Sequence, residues 1–429
     1  MSIFERRESE VRSYCRSFPT VFTRAHEAYL YDEQGKRYTD LFAGAGVLNY
    51  GHNPPRLRQA LINYLQSEGV THSLDMYTSA KRRFLERFEQ LILEPRGLDY
   101  KVQFPGPTGT NAIEAALKVA RKATGRQNVL CFTNAFHGMT LGALSLTGNQ
   151  SKRDGAGVPL NHSQRMPFEG DLGGARETLA FLQASLENSS SGFDLPAAIV
   201  IETVQAEGGV RVASTEFLQG LADLARRFEV PLIVDDVQVG CGRTGGFFSF
   251  EEAGIQPDIV CLSKSLSGYG LPFALVLIRP DLDVWAPGEH NGTFRGHNLA
   301  FVTATEALEQ HWRTRELQQE VEKKSRLCRE ALQRLADRCP ALGEVRGRGL
   351  ILGVECQVEG LAERWSRECF ARGVIVETAG PGDSVLKLLP PLTIAEPVLL
   401  DALRVLEEAL AALPEGEALK PRELVGGAV

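Results

Sequence analysis

Between residues 110 and 278, short uncharged apolar runs alternate with amphipathic stretches, and that alternation limits the possible folds more than any other feature. The runs are Val129 to Thr133, Ala197 to Ile201, Leu232 to Val234, Ile259 to Leu262 and Phe273 to Ile278. Each is short and rich in branched side chains, as strands buried on both faces are. Thr110 to Thr124 and Glu216 to Phe228 read as helices. In the second, Phe217, Leu218, Leu221, Leu224, Ala225 and Phe228 recur at helical spacing. Strands alternating with helices predict an α/β domain with a mainly parallel sheet. Such sheets bind ligands at the carboxyl ends of their strands.

The flanks follow other patterns. Glu27 to Asp40 reads as a hairpin turning at Glu33-Gln34-Gly35, and Leu57 to Glu68, Glu316 to Arg338 and Glu396 to Leu413 read as helices. Pro421 to Val429 reads as a loose tail. A chain of 429 residues exceeds what one core usually supports. We therefore expect a large domain over residues 76–315 and a smaller α+β domain built from the two ends, 1–75 and 316–429.

Charge and cysteine content exclude several classes. A formal net charge of -7 gives no electrostatic case for nucleic acid or an anionic membrane surface as partner. No apolar run approaches membrane-spanning length. The N-terminus, MSIFERRESEVRSYCRS, is charged and lacks the apolar stretch of a secretory signal. The eight cysteines form no CxxC pair and no zinc-like spacing, so no metal is expected. They read as buried thiols of a reducing compartment, and a cytoplasmic location is the expectation.

Two strand ends carry the chemistry. The run Ile233 to Gly240, IVDDVQVG, ends in Asp235 and Asp236. An acid there is equally a helix cap, a metal ligand or a catalytic group. The run Ile259 to Pro272, IVCLSKSLSGYGLP, ends in Ser-Lys-Ser before a glycine-rich turn. A lone lysine there is usually a surface residue with a buried stem. Together, Asp235 and Lys264 put an acid and an amine at one sheet edge. Pyridoxal phosphate (PLP) needs that pair. The amine forms a Schiff base with its aldehyde, and the carboxylate keeps the ring nitrogen protonated so that the ring accepts electrons. The stretch GPTGTNAIEAALK, Gly106 to Lys118, opens a helix with Thr108-Gly109-Thr110, which suits an anion. It would serve equally as a plain threonine N-cap. Phe136-His137-Gly138 offers an aromatic face, although a lone Phe is more often core.

These segments, in this order, resemble the class III (subgroup II) aminotransferases of fold type I. DDVQVGCGRTG is similar to that family's D-E-x-Q-x-G-x-G-R-T-G signature, and SKSLSGYGLP to S-K-x-x-x-x-G-x-P. IETVQAEGG, GHNPP and RGRGLILGVE also fit. The resemblance implies a fold type I PLP-dependent transferase with Lys264 as the Schiff-base lysine and Asp235 on the ring nitrogen. Gln238 would lie by the ring O3′. Phe136 would stack on one ring face and Val237 on the other, with His137 and Glu202 also at the cofactor. Gly109 and Thr110 would hold the phosphate, and Glu207 matches a gate glutamate. Thr293, in GTFRGHN, matches a threonine that reaches a neighbouring subunit's phosphate. This implies a homodimer or higher homo-oligomer with sites at the interface.

VRSYCRSFP, DLFAGAGVLNYGHNPP, THSLDM and EHNGTFRGHN resemble more closely one branch of the family, which supplies ectoine biosynthesis. Its members move the amino group of L-glutamate to L-aspartate 4-semialdehyde, so one pocket accepts an amino acid and a semialdehyde in different orientations. Lys387, in LKLLPPL, replaces the family's usual carboxylate-binding Arg and lacks its bidentate fork. Asp236 replaces a Glu. Arg295 stands where Gly is common, so Arg295, Arg12 or Arg16 could take over a carboxylate; a structural ion pair is the alternative for Arg295. The rival readings are an ornithine, acetylornithine or 4-aminobutyrate type aminotransferase, an aminomutase, the same chemistry serving another pathway, and a PLP-fold binding module. The last should have lost Lys264 or Asp235.

Overall fold

Seven strands form the central sheet of the computed structural model, which describes residues 2–413. They are β1 (Lys101–Gln103), β2 (Val129–Phe132), β3 (Ser163–Met166), β4 (Ala198–Ile201), β5 (Leu232–Asp235), β6 (Ile259–Leu262) and β7 (Leu275–Ile278). Their spatial order is β1-β7-β6-β5-β4-β2-β3. All measured pairings are parallel except those of β7, which runs against both neighbours. The predicted Phe273 to Ile278 strand starts two residues late, because the Phe273 carbonyl accepts from Ser263 Oγ at 2.8 Å.

Both sheet faces are covered, which explains the uninterrupted apolar runs. On one face, Ile113, Ala116, Leu117 and Ala120 of helix α1 (Gly109–Thr124) pack on Val129, Val200, Ile233 and Val276. On the other, Phe217, Leu218 and Leu221 of α2 (Thr215–Arg227) pack on Phe132, Ile199, Val234 and Val260. Each large side chain so buried contributes about 1.5–3 kcal/mol. Ser214 Oγ caps α2 by accepting from the Phe217 N–H at 3.0 Å. Gly125, at φ +70°, ends α1 in the left-handed conformation that glycine tolerates.

The chain ends build two smaller sheets. Phe22–His26, Tyr29–Asp32 and Arg37–Asp40 run antiparallel, and Val374–Ile375 adds parallel to the third. The second sheet is antiparallel, ordered β8 (Leu342–Arg348), β9 (Ile351–Cys356), β11 (Val385–Leu388) and β10 (Glu377–Ala379). Helices α3 (Glu316–Arg338) and α4 (Glu396–Ala411) pack against it through Val321, Leu332, Leu399 and Leu406. Arg243 ties this sheet to the loop after β5. Its guanidinium is fully buried and donates to the carbonyls of Leu350 (2.8 Å) and Pro390 (2.5 Å) and to Asn49 Oδ1 (2.7 Å).

Two expectations change. Six of the eight free cysteines are buried, but Cys15 is exposed on a short N-terminal helix and Cys339 is half-buried after α3. Thr108 stands at the N-cap of α1 but its hydroxyl bonds Asn111 Oδ1 (2.8 Å) instead of a backbone amide. The tail Pro421 to Val429 lies outside the described residues. No described helix is long and apolar enough to cross a membrane, and no described group of His, Cys, Asp and Glu could hold a metal ion.

Candidate active site

The carboxyl ends of β2, β4, β5 and β6 meet the N-terminus of α1 around a cavity of about 330 Å³. Asp235 and Lys264 both line it, together with Gly109, Thr110, Phe136, His137, Glu202, Glu207, Val237 and Gln238. The sheet register explains the meeting. Asp235, the last residue of β5, pairs with Cys261 on β6, three residues before Lys264. Lys264 itself takes φ +49°, a conformation costly for a residue with a Cβ and typical of functional sites.

Asp235 is oriented from two sides. Its Oδ2 lies 2.8 Å from His137 Nδ1, and its Oδ1 accepts from the Val237 N–H at 3.1 Å. Burial disfavours the imidazolium of His137, but the Asp235 hydrogen bond and the Glu202 charge outweigh it and raise its pKa. Glu202 accepts from the Phe136 N–H at 3.0 Å, and burial pushes its carboxyl up to about 8. Burial lowers the pKa of Lys264, which favours a reactive neutral amine, although Glu207 partly opposes this. Asp236 turns the other way. It accepts from the Ser249 N–H at 3.1 Å, and burial raises it to about 7, so it ties a loop rather than lining the cavity.

One end of the cavity is a cradle of backbone. Gly109 and Thr110 open a helix whose N-cap side chain bonds no first-turn amide. A Cβ on Gly109 would come within 2.7 Å of Val237 Cγ1, so only glycine allows this approach. A Cβ on Gly138 would collide with Thr110 Oγ1, which is itself bonded to Thr140 Oγ1 at 2.6 Å. Phe136 lines the wall, with Lys152 Nζ 4.5 Å from its ring centroid.

Glu207 and Gln238 of the lining carry an ionic cluster. Glu207 Oε1 accepts from Gln238 Nε2 (3.2 Å) and Lys387 Nζ (2.8 Å). Lys387 is fully buried and also lies 3.0 Å from Glu377 Oε1. Burial opposes charge on all three. The charges of Lys387 and Lys264 nevertheless hold Glu207 down to about 2, whereas burial wins at Glu377 and pushes it up to about 7. Burial would lower Lys387, but the two carboxylates raise it. Gln238 Nε2 also donates to the Ala45 carbonyl at 3.0 Å, within Ala43–Gly46, where four successive residues have positive φ.

The other predicted residues lie elsewhere. Thr293 is exposed, and its carbonyl lies 3.1 Å from His72 Nε2. Arg295 donates to its own loop, at the carbonyls of His290 (3.2 Å) and Asn291 (2.9 Å), and makes no ion pair among the described residues. Arg12 and Arg16 pair with Glu8 and Glu10. The sequence reading missed Glu377 and the Ala43–Gly46 turn. A single acid inside the apolar run VIVETA was the available signal for Glu377.

The family model "Aminotransferase class-III" matches residues 12–410. The chain is a class III aminotransferase. It is 54% identical over 420 residues to the diaminobutyrate--2-oxoglutarate transaminase of Halalkalibacterium halodurans, covering 98% of both chains. It is 57% identical over 409 residues to the transaminase of that name from Nocardia farcinica, covering 95% of this chain and 94% of the other. Among solved structures, the ornithine aminotransferase of Toxoplasma gondii with partial PLP occupancy superposes with a TM-score of 0.83 at 28% identity, covering 97% and 94% of the two chains. Acetylornithine aminotransferase from Elizabethkingia anophelis gives 0.79 at 27% identity, covering 96% and 98%. The aminotransferase therefore has the fold of the PLP-dependent class III enzymes and uses PLP. Its cavity fits that group: a half-buried amine facing the cavity, a buried carboxylate with a histidine partner, a mainly apolar lining and an uncapped helix N-terminus suited to a phosphate.

Proposed function

We propose that this aminotransferase moves the amino group of L-glutamate to L-aspartate 4-semialdehyde, giving L-2,4-diaminobutyrate and 2-oxoglutarate for ectoine biosynthesis. The observation that carries this reading is 53–57% identity, over nearly the whole chain, to transaminases named for diaminobutyrate and 2-oxoglutarate, the two products of that reaction. In this reading Lys264 anchors PLP, Asp235 faces its ring nitrogen, and Gly109 and Thr110 hold its phosphate. Phe136 and Val237 flank the ring, while His137 and Glu202 keep Asp235 and the Phe136 backbone in place. When bound, PLP supplies an electron sink that makes the substrate Cα–H acidic. Lys264 would take that proton from the substrate Cα and deliver it to the aldehyde-derived carbon of the cofactor, and its lowered pKa suits a base working near neutral pH.

Glu207 and Lys387 handle the non-reacting end of the substrate. With the pair closed, the site accepts an aldehyde or amine; with Glu207 drawn off, the Lys387 ammonium receives the carboxylate of glutamate. Arg295 spends its Nε and one Nη2 donor on its own loop and keeps its Nη1 group for a carboxylate in this reading.

We propose a cytoplasmic homodimer, with Thr293 reaching the phosphate of the neighbouring subunit. Support comes from exposed Met76, Tyr77, Met139, Leu141 and Phe294, of which Tyr77 is 100% exposed in the single chain. His72 connects this region to Thr293 by packing on Phe294 at 5.4 Å. The test of function is an acceptor panel. Protein converted by L-glutamate to its pyridoxamine form should be restored fastest by aspartate 4-semialdehyde. Faster restoration by glutamate 5-semialdehyde or succinate semialdehyde would move the enzyme to the ornithine or 4-aminobutyrate type.

A further inference from the structure

We propose that Glu377 is a positioning residue: it holds the Lys387 ammonium in place from the small sheet, so that Glu207 alone is the movable partner when glutamate's carboxylate enters. The inference rests on the reading that Lys387 meets that carboxylate.

The backbone distinguishes the two acids. Glu377 and Lys387 are direct cross-strand partners of β10 and β11, so the sheet's hydrogen bonds set their separation. The ladder keeps their backbones paired, so the two charged groups start from fixed neighbouring positions in a buried site. Glu207 instead sits in the turn between Val204–Gln205 and Arg211–Val212, on a different sheet from Lys387. Its backbone carbonyl is tied to the Gly380 N–H at 3.0 Å, but among the described residues its carboxylate is held only by Lys387 and Gln238. Rotation of one side chain releases it.

The identity of the cation makes a second anchor necessary. An arginine at position 387 would present a planar fork that is oriented by its own shape. Lysine is a point charge on a flexible four-carbon stem. Were Glu207 its only acceptor, drawing Glu207 away would leave a fully buried ammonium with nothing to hold it. Glu377, itself 8% exposed, supplies a fixed counter-charge at 3.0 Å, with its Oε1 free of any other hydrogen-bond partner among the described residues. The ammonium then stays charged and aimed while its second partner changes from Glu207 to substrate.

The test uses the PLP-loaded enzyme and two probes. Glutarate, an unreactive dicarboxylate, reports the carboxylate site by calorimetry, and L-2,4-diaminobutyrate reports the closed site through its half-reaction. Glu377→Gln should weaken glutarate by about tenfold or more, as misplacement of a single aligning group does. The diaminobutyrate half-reaction should change by no more than about threefold. Adding Lys387→Arg should restore glutarate binding, because a fork needs no second anchor. If Glu377→Gln is not recovered folded, Glu377→Asp, with the charge kept and drawn back by one carbon, should weaken glutarate selectively. Unchanged glutarate affinity, or equal losses for both probes, overturns the proposal. Unchanged glutarate affinity in Lys387→Ala instead overturns the carboxylate role of Lys387, and wild-type protein that takes no amino group from glutamate overturns the proposed function.

Discussion

Lys264 and Lys387 are both lysines set among acids in the same part of the molecule, and their surroundings treat them in opposite ways. Lys264 shares a cavity with Asp235, yet that acid is bonded to His137 and the Val237 amide rather than to the amine. No salt bridge of Lys264 is formed among the described residues, and burial lowers its pKa. Lys387 lies within 3.0 Å of two carboxylates and its pKa rises. Acid and amine near one another do not fix chemistry. In the proposed chemistry Lys264 loses and regains protons and is kept from direct pairing, while Lys387 stays charged and is clamped.

The largest expected effect breaks the first half of this comparison. Lys264→Ala should lower turnover by about a thousandfold or more, since base and anchor go together. The visible absorption of the lysine-bound cofactor should vanish with it. A variant that transaminates at a comparable rate removes Lys264 from the mechanism. Asp235→Asn should lower kcat by about a hundredfold or more, because the charge facing the ring nitrogen is lost. The substituted side chain can still contact His137, so the thermal midpoint should fall much less than the rate.

The second half is tested by stability. Lys387→Ala leaves half-buried Glu207 and buried Glu377 without their cation, which should cost about 3 kcal/mol in chemical denaturation. Lys387→Met should cost less in the double background Glu207→Gln, Glu377→Gln, where no charge is stranded.

The pH dependence sharpens the difference between the two acids. Glu377 holds its proton in the folded state up to about pH 7, whereas an unfolded carboxyl releases it near 4.5. Its contribution is therefore full below about 4.5 and is lost as pH rises through 7. Glu207, held down to about 2, contributes above the ordinary carboxylate range and loses that contribution only as pH falls toward 2. Between pH 5 and 8 the thermal midpoint of the wild type should fall with rising pH, with Glu202 and Asp236 adding to the same trend. Glu377→Gln should make the slope shallower, and an unchanged slope would remove Glu377 from this balance. The smallest effect is at the cradle. Gly109→Ala forces a Cβ toward Val237 and should weaken PLP binding by about tenfold, read by spectral titration of the cofactor-free protein.

Much of this was legible in the order of residues. The strands around Ile199, Ile233 and Val260 declare themselves by continuous apolar runs, since both their faces are covered. Helix α3 is found at its predicted limits, Glu316–Arg338, because its apolar stripe is long and regular. Asp235 and Lys264 were legible because each lies within two residues of the end of such a run. Glu377 was not, since its meaning depends on a partner in another strand of the sheet. Nothing local in the sequence shows that the carbonyls of His290 and Asn291 take two of the donors of Arg295.

The sequence by itself determined the α/β sheet, the acid and amine at its edge and the glycine-opened helix beside them, because periodicity and strand-end chemistry are local properties. Only the tertiary structure decided which lysine is free and which is clamped. That choice depends on cross-strand register and on burial, and both arise when segments as far apart as Glu207 and Lys387 are packed out of water.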